Sequence, residues 1–314
     1  MYSLVTGCAG FIGSHLTRAL IESGEDVIGI DCFTDYYDRK IKENNIADLL
    51  KSERFTFLKE DLINTGILTG ILSKTKWVFH LAAQPGVRAS WGKNYEIYVK
   101  NNILVTQRLL EGAKDFPIKK FVFASSSSVY GDCELPMKED AKASPVSPYG
   151  ISKFTCEHLC KLYAVNYGMH IVMLRYFTVF GPGQRPDMAF NRFIRAILND
   201  QEITIYGNGK QTRDFTYVAD IVRGTIQAAK SHGEGIFNIG GGSEIALIDA
   251  VKLLESIIGR KARLKFMEKE KGDMKDTLAD IKRAKKIFKY KPEYNLIKGL
   301  EEEVRWLSKI EKFK

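Results

Sequence analysis

Residues 2–31 constrain the fold of this chain more than any other stretch. Residues 2–6, Tyr-Ser-Leu-Val-Thr, read as a short strand. Gly7, Gly10 and Gly13 follow at three-residue spacing, and residues 14–21 carry the pattern of a helix. Glycines at a strand-to-helix turn let the main chain approach a pyrophosphate and aim the amides of the helix start at it. The spacing differs from G-x-G-x-x-G, so the glycines alone are weak evidence. A second strand over residues 26–30, ending in Asp31, strengthens them. A carboxylate there accepts hydrogen bonds from the adenosine ribose and repels a 2′-phosphate, which favours NAD over NADP.

The alternation continues. Apolar β-prone runs at residues 55–58, 77–83, 119–124 and 170–175 are separated by helical segments. That rhythm predicts an α/β fold, a doubly wound parallel Rossmann sheet with ligands at the carboxyl ends of its strands. Asp61 is placed to meet the adenine edge, the small residues near Ala82 let a cofactor lie against the strand end, and Arg88 lies in a loop at the same edge, facing substrate or cofactor phosphates. A charged helix to about Ser52 and a long amphipathic helix through Asn102 to Gly112 are expected.

Hydroxyls crowd the end of the run at 119–124, as Ser125, Ser126, Ser127 and Ser128. After a polar connection, Ser147 suits an N-cap and Pro148 the first helical position, so Tyr149 falls in a first helical turn with Lys153 on the same face. A cation one turn away and the positive end of a helix dipole both favour a phenolate. Tyr149 is thereby expected to take a proton from an alcohol as hydride leaves the same carbon, with Ser126 bridging substrate oxygen and phenol. The spacing alone says little, because Tyr36/Lys40, Tyr206/Lys210 and Tyr294/Lys298 repeat it; those three pairs are expected at surface helix or loop positions.

Beyond residue 175 a loop rich in Gly and Pro, residues 176–187, leaves the sheet for a smaller C-terminal α/β lobe. A helix over 188–200 carries Arg192 and Arg195; a strand near 203–205, a helix after 218 and a strand at 236–239 follow; the tail holds a helix, a strand at 263–267, the turn at Lys271-Gly272-Asp273 and two charged helices. The expected division is 1–180 for NAD, with 214–242 returning to it, and 181–213 with 243–314 for substrate.

At 314 residues, one large or two intimate domains are expected. The net charge of +9 comes without basic clusters interleaved with stacking aromatics, so no nucleic acid is expected, and an anionic small substrate explains a positive field equally well. Five scattered cysteines argue for a reducing, cytoplasmic compartment, and the five histidines show no metal-ligand spacing. No apolar stretch reaches 18 residues, so no membrane span or export is expected.

These residues together resemble the extended short-chain dehydrogenase/reductases that act on nucleotide sugars. Gly7, Gly10, Gly13, Asp31, Asp61, Asn102, the serine cluster, Tyr149 and Lys153 each match a family position, and the likeness covers nearly the whole length. Residues 35–38, 83–92, 124–131 and 184–190 make the chain most similar to the UDP-glucuronate 4-epimerases. The resemblance implies that Phe11, Ile12, Leu62, Leu81, Ala82, Ala83 and Tyr176 also contact NAD, and that Tyr149, Lys153 and Ser126 are catalytic. It implies a UDP-sugar substrate oxidised at C4, turned about its bond to the diphosphate and reduced from the other face, with NAD regenerated. It also implies a homodimer through the helices holding Asn102 and Tyr149.

Two relatives in chemistry are to be weighed, an epimerase of neutral UDP-hexoses and a UDP-glucuronate decarboxylase. A 4-keto sugar with a carboxylate on C5 tends to lose carbon dioxide, and related decarboxylases and dehydratases carry Glu where Ser128 stands. Ser127, Ser128, Thr178 and Arg185 are expected to hold the carboxylate so that it stays. Relatives acting on uncharged hexoses often have Asn in place of Thr178. By the same resemblance Arg192 and Arg213 pair with the diphosphate and Asp273 reaches the uridine ribose.

Overall fold

The computed structural model describes residues 1–64 and 66–311. β1 (Tyr2–Thr6), α1 (Phe11–Glu22), β2 (Val27–Ile30), α2 (Arg39–Ile46), β3 (Phe55–Leu58), α3 (Leu68–Leu72) and β4 (Thr75–His80) open the chain. α4 (Tyr95–Tyr98), α5 (Val105–Ala113), β5 (Lys120–Ser126), α6 (Pro148–Tyr167) and β6 (Ile171–Tyr176) follow. Next come β7 (Thr178–Phe180), α7 (Ala189–Leu198), β8 (Glu202–Tyr206), β9 (Thr212–Tyr217), α8 (Val218–Lys230) and β10 (Gly235–Ile239). β11 (Glu244–Ala246), α9 (Leu247–Ile258), β12 (Arg263–Met267), α10 (Lys282–Phe288) and α11 (Leu296–Glu311) complete it.

The main sheet has seven strands in the order β10-β6-β5-β4-β1-β2-β3, and every neighbouring pair is parallel. Helices cover both faces, so β2 and β6 are buried throughout, as their unbroken apolar runs require. Side chains alternate between two cores. Val78, Phe121 and Phe123 pack with Leu109 and Cys160 on one face, and Phe79, Val122 and Leu174 pack with Leu16 and Phe237 on the other.

Two small sheets, β11-β9-β7 and β12-β8, accompany the main one. β7 corrects the expectation of a loop over 176–187: the chain turns at Phe177 and pairs Thr178–Phe180 in parallel with β9. Phe180 is held there by the rings of Phe190, Phe215 and Tyr217, with centroids 5.5, 6.3 and 5.6 Å away. The chain then returns, since β10 joins the main sheet beside β6. Asp214, fully buried in β9, ties these parts together. Its Oδ1 accepts from Gly241 N at 2.7 Å and its Oδ2 from Gly242 N and Ala279 N, both at 3.1 Å.

Two helices differ from the pattern in the sequence. α2 ends at Ile46, and only a single 3₁₀ turn, Leu49–Lys51, follows it. The long helix through Asn102 is broken by a wide π turn, Val99–Leu104, between α4 and α5. Asn102, the buried residue of this turn, directs its amide inward. Its Oδ1 accepts from Gln84 N at 2.7 Å, and its Nδ2 donates to Gln84 O at 3.1 Å and to Ser152 Oγ at 2.9 Å. Among the described residues, no helix is long and apolar enough to cross a membrane.

Candidate active site

Strand order reverses between β1 and β4, and a cavity opens there at the carboxyl ends of the strands. Gly7, Gly10, Phe11, Ile12 and Gly13 form its floor. Gly7 adopts φ +72°, and a Cβ on it would stand 2.8 Å from Ala82 N. A Cβ on Gly13 would stand 2.0 Å from Gly7 O, so α1 can press against β1 only because that atom is missing. No side chain caps the start of α1 at Gly10, which leaves its first amides aimed at the cavity, a fit for a pyrophosphate.

Asp31 lines the same cavity. Its Oδ1 accepts from Phe33 N at 2.8 Å and its Oδ2 from Ala9 N at 3.2 Å, which fixes the carboxylate while leaving lone pairs for ribose hydroxyls. Asp61, Leu62, Leu81, Ala82, Ala83 and Tyr176 complete the expected wall. Asp61 Oδ1 caps Ile63 N at 3.0 Å, and its Oδ2 lies 3.7 Å from Lys100 Nζ. Tyr176 offers its ring, because its hydroxyl is turned away to Thr225 Oγ1 at 2.7 Å.

Behind this wall stands His80, fully buried, with Nδ1 2.8 Å from Thr6 Oγ1 and Nε2 3.0 Å from Thr106 Oγ1. Burial, with Lys153 nearby, pulls its pKa down to about 3, so the imidazole is neutral; Thr6 Oγ1 also accepts from Ala82 N at 3.2 Å.

Asn102, expected to contact the cofactor, does not line the cavity. Its amide is fully engaged by Gln84 and Ser152, and the neighbouring Asn101 lines the wall instead. Ser152 Oγ in turn donates to Tyr149 O at 2.8 Å, so Asn102 braces the turn that carries Tyr149.

α6 begins as its residues demand. Ser147 Oγ accepts from Gly150 N at 3.1 Å, Pro148 opens the first turn, and Tyr149 and Lys153 both face the cavity. Lys153 is buried, and its Nζ donates to Ala124 O at 2.8 Å, leaving two ammonium donors for a ligand. Tyr149 belongs to two cavities. A second one, between the main sheet and the small sheets, is lined by Tyr149 together with Ser126, Ser127, Ser128, Thr178, Arg88, Arg185, Arg192, Arg213 and Asp273. Phe11, Ile12, Tyr36, Pro85, Ser125, Tyr176 and Arg185 also line both, so the two spaces share one wall.

Within the second cavity the basic residues are differently occupied. Arg88 grips Asp273 with Nε and NH2, at 3.4 and 2.6 Å, and lies 4.2 Å from the Tyr206 ring centroid. Arg213 spends three donors on the carbonyls of Thr212, Met274 and Lys275. Arg185 forms a bidentate pair with Asp187 at 2.9 Å. Ser126 Oγ accepts from Ser128 N at 3.1 Å, which keeps its own O–H for a ligand.

A family model, described as the NAD dependent epimerase/dehydratase family, matches residues 3–240. The chain belongs to the NAD-dependent epimerase/dehydratase family. A UDP-glucuronate 4-epimerase of Thermodesulfobacterium geofontis is 44% identical over 97% of this chain and 95% of its own length. A Bacillus subtilis protein named an uncharacterized UDP-glucose epimerase, YtcB, is 46% identical over 99% of both chains. Among solved structures, the UDP-glucuronic acid 4-epimerase of Bacillus cereus, in complex with UDP-glucuronic acid and NAD, superposes with a TM-score of 0.96 at 46% identity, covering 99% of this chain and 100% of that one. The chain is thus an NAD-dependent isomerase of this family in fold and in cleft.

Sequence reading missed part of both walls. Tyr36 and Tyr206, expected at idle surface positions, line the cavities, and Tyr37, Thr34 and Lys42 line the first. Lys42 is buried with Nζ donating to Thr34 O and Oγ1 at 3.0 and 3.1 Å. Only the density of aromatic and hydroxyl residues at 33–37 signalled them.

Proposed function

We propose that the protein is a UDP-glucuronate 4-epimerase, interconverting UDP-glucuronate and UDP-galacturonate. The observation that carries this reading is Tyr149 in the wall common to both cavities, in company with Ser126–Ser128, Thr178 and Arg185. Bound NAD supplies the hydride acceptor and donor at C4. Tyr149 takes the proton of the C4 hydroxyl and later returns it, with Ser126 donating to the sugar oxygen. Lys153 holds the nicotinamide ribose through its two remaining donors. Ser127, Ser128 and Thr178 supply neutral hydroxyls, and Arg185 a cation, to the sugar carboxylate.

Arg192, whose guanidinium has no partner among the described residues, and the two donors left on Arg213 take the diphosphate; Arg88 and Asp273 stand at the uridine end. Residues 1–180 with 214–242 hold NAD, while 181–213 and 243–314 hold the nucleotide sugar. The five free cysteines support a reducing, cytoplasmic setting. A homodimer is supported by apolar side chains left exposed on the two helical segments of one face: Ile97, Val99 and Leu104 before β5, and Ile151, Leu162 and Val165 on α6.

The test is incubation of the purified protein with UDP-glucuronate and no added NAD. UDP-galacturonate is the expected product. UDP-pentose would indicate a decarboxylase. Turnover of UDP-glucose alone would support the neutral-sugar epimerase that the Bacillus subtilis relative's name suggests.

A further inference from the structure

Arg185 is held by only one of its two hydrogen-bonding edges. Its Nε and NH2 donate side-on to Asp187 Oδ1 and Oδ2, and the Tyr36 hydroxyl donates to Asp187 Oδ2 at 3.2 Å. A guanidinium carries five N–H donors. Two are used here, and the end-on edge, NH1 with the second hydrogen of NH2, has no partner among the described residues. Arg185 lines both cavities, whereas Asp187 lines only the second. Tyr36 reaches Asp187 from the loop after β2, across 151 residues of chain, and its ring centroid lies 5.9 Å from the Arg185 guanidinium carbon. Burial and the charge of Asp187 push its phenol up to about 12, so it stays a hydrogen-bond donor.

Resting on the reading of this site as one for an acidic UDP sugar, we propose that Asp187, backed by Tyr36, is a positioning residue. It holds Arg185 side-on so that the end-on edge receives the sugar carboxylate, and this hold decides between epimerisation and loss of carbon dioxide.

The chemistry makes orientation decisive. Once C4 is a ketone, the C5 carboxylate belongs to a β-keto acid. If the C5–C6 bond aligns with the π system of the ketone, it breaks. Its electron pair passes through C5 to the ketone oxygen as an enolate, carbon dioxide departs, and a solvent proton adds at C5. The keto-pentose leaves with C4 still oxidised, and the hydride taken from C4 stays behind on the nicotinamide. Two parallel N–H···O bonds from an end-on arginine fix the plane of a carboxylate as well as its place, and a C5–C6 bond kept near the carbonyl plane cannot release its pair. An arginine free to swing on its long stem gives the charge without the orientation.

Asp187→Asn and Tyr36→Phe are compared with the unaltered protein. UDP-galacturonate, UDP-4-keto-pentose and carbon dioxide formed from UDP-glucuronate are measured, with the affinity of UDP-glucuronate by calorimetry. Asp187→Asn is expected to slow epimerisation by about ten- to a hundredfold, the loss typical of a misplaced reacting group. Affinity should change little, and the ratio of carbon dioxide to UDP-galacturonate should rise. Tyr36→Phe, which leaves the ion pair intact, should move that ratio the same way by less. An unchanged ratio in Asp187→Asn overturns the proposal at any overall rate, because a poorly folded variant loses both products alike. If the unaltered protein makes no UDP-galacturonate, the functional reading fails first and this inference falls with it.

Discussion

Tyr149 was legible from its neighbours in the chain, because everything that places it is local: the Ser147 cap, Pro148, and Lys153 one turn on. Its removal should be correspondingly clean. Tyr149→Phe is expected to keep NAD, measured as nucleotide released on denaturing the purified protein, and to lose about 10²- to 10⁴-fold in turnover, the usual worth of a positioned acid-base group. Full activity in that variant would exclude Tyr149 as the base. Asp214 is the opposite case. It reads as one acid among many in the sequence, yet folding buries it completely and gives it three main-chain donors. Burial outweighs those donors and raises its pKa from 3.8 to about 6. The native state therefore binds this proton more tightly than the unfolded chain does. Its contribution to stability is full below pH 3.8 and is lost as pH rises through about 6. Asp214→Asn should remove that dependence from chemical denaturation curves taken between those pH values. It should also destabilise throughout, since an amide nitrogen must face either Gly241 N or the pair Gly242 N and Ala279 N.

At the scale of elements, the sequence pattern located strands well because parallel strands covered by helices on both faces, such as β2 and β6, must read as apolar runs. It failed where an element's form depends on a distant partner. Periodicity registers a long helix through Asn102 to Gly112 but not the wide turn at Val99–Leu104, from which Asn102 reaches Gln84 and Ser152. β7 was hidden for a similar reason: three residues just before the Gly-Pro-Gly at 181–183 become a strand only when β9 lies beside them. The exposed apolar side chains of α6 belong to this scale too. Val165, 84% exposed, has no intramolecular task that its exposure reveals. Val165→Glu is expected to convert a dimer to a monomer in sedimentation experiments, since a charge on an apolar face covered by a second subunit is costly to bury. A monomeric unaltered protein would remove the dimer from the account.

For the whole molecule, the second cavity exists only because the small sheets stand beyond the main one, with the loops at 85–92 and 269–276 meeting through Arg88 and Asp273. A ligand that fills this space should couple the parts thermodynamically. UDP at about a hundred times its dissociation constant is expected to add about 2.7 kcal/mol to unfolding stability, read as a rise in the melting temperature. No rise with UDP, alongside a rise with UMP or free sugar, would move the nucleotide elsewhere.

By itself the sequence determined the alternation of strand and helix, the glycine turn, Asp31 at its strand end, and the Tyr149–Lys153 face. Each of these is set by backbone conformation and burial over a few neighbouring residues, which residue order encodes directly. Only the tertiary structure decided which long side chains face which. Arg88 meets Asp273 across 185 residues, Tyr36 meets Asp187 across 151, and the Asn102 amide is spent on Gln84 and Ser152, bracing the turn of Tyr149. A flexible charged or polar side chain takes whatever partner folding brings within reach, and periodicity carries no record of that choice.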